Sequence, residues 1–80
     1  SNINIQAIGA TITYKGSTTD ANNLVEFIAL GTGSNWPDTN FWYIMTLIYN
    51  TQNKKQVAYG YKSNTTKTRY CDSGTWSNWV

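Results

Sequence analysis

Any covalent chemistry in this chain would fall to four acids, Asp20, Glu26, Asp38 and Asp72, and to one thiol, Cys71. A glycosidase needs two carboxyl groups facing each other across a sugar, and the spacing of these four pairs none of them. A Ser or Cys nucleophile would lack its usual base, because the sequence has no His. Asp20, Asp38 and Asp72 fall in predicted turns, where Asp serves the backbone. The same shortage of His and Cys removes the common zinc and iron ligand sets, so neither metal nor cofactor is expected. These residues read as a protein that is not an enzyme.

Rings are what the chain has in abundance: four Trp, six Tyr and two Phe in 80 residues. They have two uses. Each ring can bury on the order of 150–250 Å² in a core or a subunit contact. A flat ring can instead stack on the apolar side of a pyranose, while Asn, Asp or Arg bond its hydroxyls. Strand parity assigns Phe41, Tyr43, Leu47 and Ile48 to the core. Trp36 lies beside Pro37 in a loop rich in Gly and Asn, where exposure for binding is as good a reading as packing. Arg69, the one Arg, has the pattern of a solvated strand residue laying its stem along a neighbouring ring. The alternatives are stacking on that ring or reaching an anionic ligand. Cys71 reads as a small buried hydrophobe. Asn64-Thr65-Thr66 matches a glycosylation sequon, a triplet that arises readily by chance in such a composition.

Composition narrows the class further. At 9.0 kDa the chain is a single domain, 1–80. Only 12% of residues are charged, about half the usual share, whereas Asn, Thr, Ser and Gln supply 31 of the 80. A net charge of +2 argues for no nucleic-acid partner, which would need clustered Lys and Arg. No apolar run approaches the ~20 residues of a membrane span, so no membrane insertion is expected. The first residues carry no signal-peptide pattern. Ser1-Asn2 in place of Met is what a domain cut from a longer polypeptide would show.

The elements that must hold these groups are predicted to be strands. Residues 3–14 alternate loosely through Ile3, Ile5, Ile8, Ala10, Ile12 and Tyr14, and Lys15-Gly16-Ser17 reads as a turn. Asp20 can cap a short helical turn near residues 20–25, although a turn followed by a strand is the preferred reading of Asp20–Leu30. Gly31–Asn40 is a loop. Phe41–Tyr49 is apolar at both parities, the mark of a central strand covered on both faces, with another subunit as one source of the second cover. Strands at 54–62 and 67–71 follow, separated by polar turns. The fold class is mostly β, a small antiparallel meander forming a knob or small sandwich.

One order of motifs stands out. Asn35-Trp36-Pro37 precedes the Trp-led strand Trp42–Tyr49. Gln56–Tyr59, Thr68-Arg69-Tyr70 and Gly74-Thr75-Trp76-Ser77-Asn78-Trp79 follow. This arrangement resembles the pyocin-knob-like domains of tail fibres and receptor-binding proteins of bacteriophages and phage-tail-like bacteriocins, over roughly residues 20–80. It departs from their pattern at Glu26-Phe27-Ile28, where a Gly-aromatic step is usual, and residues 1–19, read as N-terminal strands or a connection, have no counterpart. The resemblance implies a β-rich knob, in a protein commonly trimeric, at the tip of a fibre in the virion. It also implies attachment to a bacterial surface glycan, with Arg69, Trp76 and Trp79 as scaffold.

The expected function is therefore host recognition without catalysis, the partner being a bacterial cell-surface polysaccharide or teichoic acid and the assembly a homotrimer. Trp36, Asp38 and Asn40 in the loop and Tyr59 and Tyr61 on a strand are the candidate glycan contacts. A trimerisation or spacer module of the fibre, and a carbohydrate-binding module of a cell-wall hydrolase, are the alternatives.

Overall fold

The computed structural model describes residues 9–80, so Ile3, Ile5 and Ile8 of the N-terminal alternation lie outside the described residues. Six strands follow in chain order: β1 (Thr13–Gly16), β2 (Ile28–Gly31), β3 (Trp42–Asn50), β4 (Asn53–Gly60), β5 (Thr66–Asp72) and β6 (Thr75–Trp76). They form one sheet in that same order. From β2 onwards every pairing is antiparallel, as the polar two-residue turns require. The expected mostly β, antiparallel fold is what the chain adopts.

The first pairing is the exception: β1 runs parallel to β2. Lys15-Gly16, read as a turn, belongs to this strand. Gly16 has φ +70°, and the register slips between Tyr14 and Gly16, so the glycine absorbs a bulge. Parallel strands need a crossover. Here it contains a 3-10 turn, Ala21–Asn23, whose Asp20 N-cap side chain accepts from the Asn22 N–H. Leu24, just beyond, is buried at 1% exposure.

The core lies on one face of the sheet only. Ala29 of β2, Trp42 and Ile44 of β3 and Ala58 of β4 are buried on that face, beneath Ala21, Leu24 and Trp36, with Trp79 packed against them. Register explains the choice, because Ala29 opposes Ile44 and Ile44 opposes Ala58, so three strands put small and branched side chains in one row. Gly31 must be a glycine here. A Cβ would stand 2.7 Å from the Gly16 carbonyl oxygen and 3.1 Å from the Trp36 ring.

Two-sided cover of β3 is thus corrected: the chain covers one side. Tyr43 and Met45 are half-buried, and Leu47 and Tyr49 are exposed on the open face. Ile48 shares the covered parity but lies past the end of the cover, and it too is exposed. Phe41, Tyr43, Leu47 and Ile48 are therefore not the core. The cover is an irregular layer of loop and turn rather than a second sheet. No helix among the described residues is long and apolar enough to cross a membrane.

Candidate functional site

Hydrogen bonds hold the cover to the sheet. Arg69 on β5 donates Nε–H to Gln56 Oε1 at 2.8 Å and a terminal N–H to Asn22 Oδ1 at 2.8 Å. Gln56 in turn donates to the Ala21 carbonyl at 2.8 Å and to Thr46 Oγ1 at 3.2 Å. The guanidinium lies between two indoles, 3.9 Å from the Trp76 ring centre and 4.7 Å from that of Trp79. Arg69 is only 4% exposed, which corrects the solvated reading. Burial pushes its pKa down to about 10, opposed by the nearby charge of Asp20, so the group stays protonated at neutral pH. Trp79 Nε1–H donates to the Asn35 carbonyl at 2.8 Å, tying the end of the chain to the loop.

Trp36 belongs to the same construction. It is 5% exposed, and its Nε1–H donates to the Thr19 carbonyl at 2.7 Å. Its nomination as a glycan contact is corrected by that burial, which leaves no ring face for a sugar. The loop around it is polar because its backbone serves the fold: Asn35, at φ +64°, donates its side-chain amide to Asp20 Oδ1.

The other four nominees, Asp38, Asn40, Tyr59 and Tyr61, are exposed. Asp38, Asn40 and Tyr61 line one open cleft of about 580 Å³, completed by Phe41, Trp42, Lys62, Ser63, Thr65 and Lys67 among others. The β3–β4 register creates it: Trp42 opposes Gly60, so the residues preceding β3 meet the turn following β4. The cleft opens beside a series of rings. Tyr14 stacks on Phe41 with centroids 6.4 Å apart, Phe41 lies 6.4 Å from Tyr61, and Tyr61 lies 5.7 Å from Tyr43. Tyr59 stands directly opposite Tyr43 on the same open face. Tyr61 and Phe41 thus serve both cleft and series.

Asp38 sets the shape of the cleft wall. Its Oδ1 accepts from Trp42 Nε1 and from the Asn40 backbone N–H, both at 2.8 Å. These bonds, the indole first, hold its carboxyl below the usual range against some desolvation, with Lys67 adding a favourable charge. The stabilisation is therefore present above pH 3.8, the ordinary value, and lost as pH falls through the lower folded one. Glu26, lowered chiefly by its hydrogen bond from Lys15, behaves likewise. We expect Asp38→Asn to lower the melting temperature at pH 6 and to narrow that deficit towards pH 2, read by tryptophan fluorescence. A deficit that does not change with pH would contradict this role.

Sequence reasoning missed Phe41, Tyr14, Lys62 and Lys67. The signal for the last two was present, since counting outward from the Thr51-Gln52 turn brings residues 38–41 beside 61–65. Among the described residues no three His, Cys, Asp or Glu side chains gather as for a metal. No protein-family model, curated protein or solved structure matches the chain.

Proposed function

We propose that this chain is a non-catalytic receptor-binding domain that attaches a phage tail fibre to a bacterial cell-surface polysaccharide or teichoic acid, acting as a homotrimer at the extracellular tip of the virion. One observation carries the proposal: an open cleft with amide, hydroxyl and ammonium groups adjoins a run of exposed rings. Saccharides present the matching chemistry, apolar ring faces edged with hydroxyls. The pyocin-knob resemblance points the same way, through Arg69, Trp76 and Trp79 as a scaffold that leaves the cleft free to vary. Binding at one site would be weak and would gain from several copies.

Tyr61→Ala tests this reading, because the side chain is 43% exposed and its loss leaves the core intact. A central ring contact of about 2 kcal/mol corresponds to a roughly thirtyfold weaker Kd. The measurement is a glycan array followed by titration of the best ligand, with circular dichroism to confirm folding. An array and a whole-cell binding assay both negative for the assembled fibre would refute the function.

The open face of the sheet favours a second reading, a trimerisation or spacer module. Tyr14, Leu47, Tyr59 and Tyr70 stay exposed there beside half-buried Met45 and Val57. A protein that stays monomeric at high concentration in light scattering counts against that role.

A further inference from the structure

We infer that the cleft selects saccharides carrying an anionic group, with Lys62 and Lys67 supplying the charge; this rests on the glycan-binding reading and narrows it. Two ammonium groups line the cleft against one carboxylate, that of Asp38. That carboxylate is committed to the wall, its Oδ1 already accepting from the Trp42 indole and the Asn40 N–H at 2.8 Å each. Lys67 stands close enough to Asp38 to act on its titration, yet no carboxylate lies within salt-bridge distance of either lysine among the described residues. The ion pair found there joins Lys15 to Glu26.

Geometry links the charge to a stacking surface. The Lys62 Nζ lies over the Tyr61 ring, 5.6 Å from its centre. A sugar seated against Tyr61 would therefore have an ammonium at its rim. Lys67 projects from β5 on the covered side of the sheet, in register with buried Ala58, and reaches the cleft from the other wall. Ser63 and Thr65 put hydroxyls between the two lysines in sequence and line the same cleft. A neutral sugar would use the rings and hydroxyls and leave both charges unanswered. A carboxylate or phosphate on the sugar would accept charge-assisted hydrogen bonds, the stronger kind.

The chemistry common to a uronic acid and to a polyol phosphate is an anion beside hydroxyls, so both probes are used. The intact chain is titrated by NMR and calorimetry with a hexuronate oligosaccharide, a glycerol-phosphate oligomer and a neutral hexose oligosaccharide of equal length. The expected result is at least one anionic probe binding about tenfold tighter than the neutral one, with shifts at Tyr61 and Lys67. Which probe it is identifies carboxylate or phosphate as the source. Lys62→Gln with Lys67→Gln should abolish that preference while leaving neutral binding within about twofold. Lys54→Gln with Lys55→Gln removes equal charge at the other end of the β3–β4 hairpin, where these lysines line a separate depression, and should leave the preference in place. Equal binding of neutral and anionic probes overturns the inference but leaves glycan binding standing. Equal loss in both double variants overturns it as general surface attraction. Absence of binding by all three probes overturns both.

Discussion

Arg69→Ala is expected to destabilise the domain by about 3–5 kcal/mol, the scale found when one partner of a buried charged network is removed. Three losses coincide. Gln56 Oε1 and Asn22 Oδ1 each lose a donor at 2.8 Å, and an unsatisfied buried polar group costs about 1–3 kcal/mol. The slot between Trp76 and Trp79 empties, ending two stacking contacts at 3.9 and 4.7 Å. A domain of this size has only about 4–12 kcal/mol in total, so the variant should be largely unfolded at 37 °C. Arg69→Lys should recover little, because an ammonium cannot bond Gln56 and Asn22 as a planar fork while filling the slot. The measurement is urea unfolding followed by tryptophan fluorescence. A midpoint within 0.5 M of the parent's, at a typical urea dependence of about 1 kcal/mol per molar, would show that Arg69 does not join cover to sheet.

Trp36→Ala should have an effect of similar size, about 3–5 kcal/mol for truncating a buried Trp. The ring fills the space over Gly31, where its atoms lie 3.1–3.2 Å from the position a Cβ would take. Its indole N–H also satisfies the Thr19 carbonyl at 2.7 Å. Trp36→Phe separates the two contributions: it restores most of the filling and leaves the carbonyl unpaired, for an expected loss of about 1–3 kcal/mol. Any fall in glycan binding by Trp36→Ala should then track the unfolded fraction. At a temperature where Trp36→Phe is fully folded, its affinity should equal the parent's. A folded Trp36→Phe that binds tenfold more weakly would return Trp36 to the ligand site and overturn its assignment to the cover. Tyr61→Ala makes the opposite pattern, full stability with lost affinity, so the pair of variants assigns each ring to its role.

These two residues also show where sequence reasoning reaches its limit. A Trp next to a Pro among Gly and Asn carries the local marks of an exposed loop, and backbone rules do place it in a loop. They say nothing about which way the ring turns. Likewise the Thr-Arg-Tyr strand puts Arg69 on the same face as Ala58 and Ile44 only once the β3–β4–β5 register is known. With no Asp or Glu nearby in sequence, a buried Arg had no visible partner. Its acceptors are neutral amides from residues 22 and 56, brought to it by the crossover and by a neighbouring strand.

The sequence alone determined the class and much of the order: short strands, polar turns at Thr51-Gln52 and Ser63–Thr65, a cap at Asp20, and a chain poor in charge and rich in rings. Those follow from local rules, since turn chemistry and period-two alternation act over a few neighbours. The doubly apolar β3 marked the strand but could not rank its faces. Tertiary structure decided that Trp42, Ile44 and Thr46 point into the cover while Tyr43 and Met45 face outward. It also decided that β1 lies parallel to β2, and that Asp38, Asn40 and Tyr61 share a cleft. Each of those outcomes depends on contacts between residues distant in the chain. A side chain's burial is set by what crosses over it, and a local pattern does not contain that information.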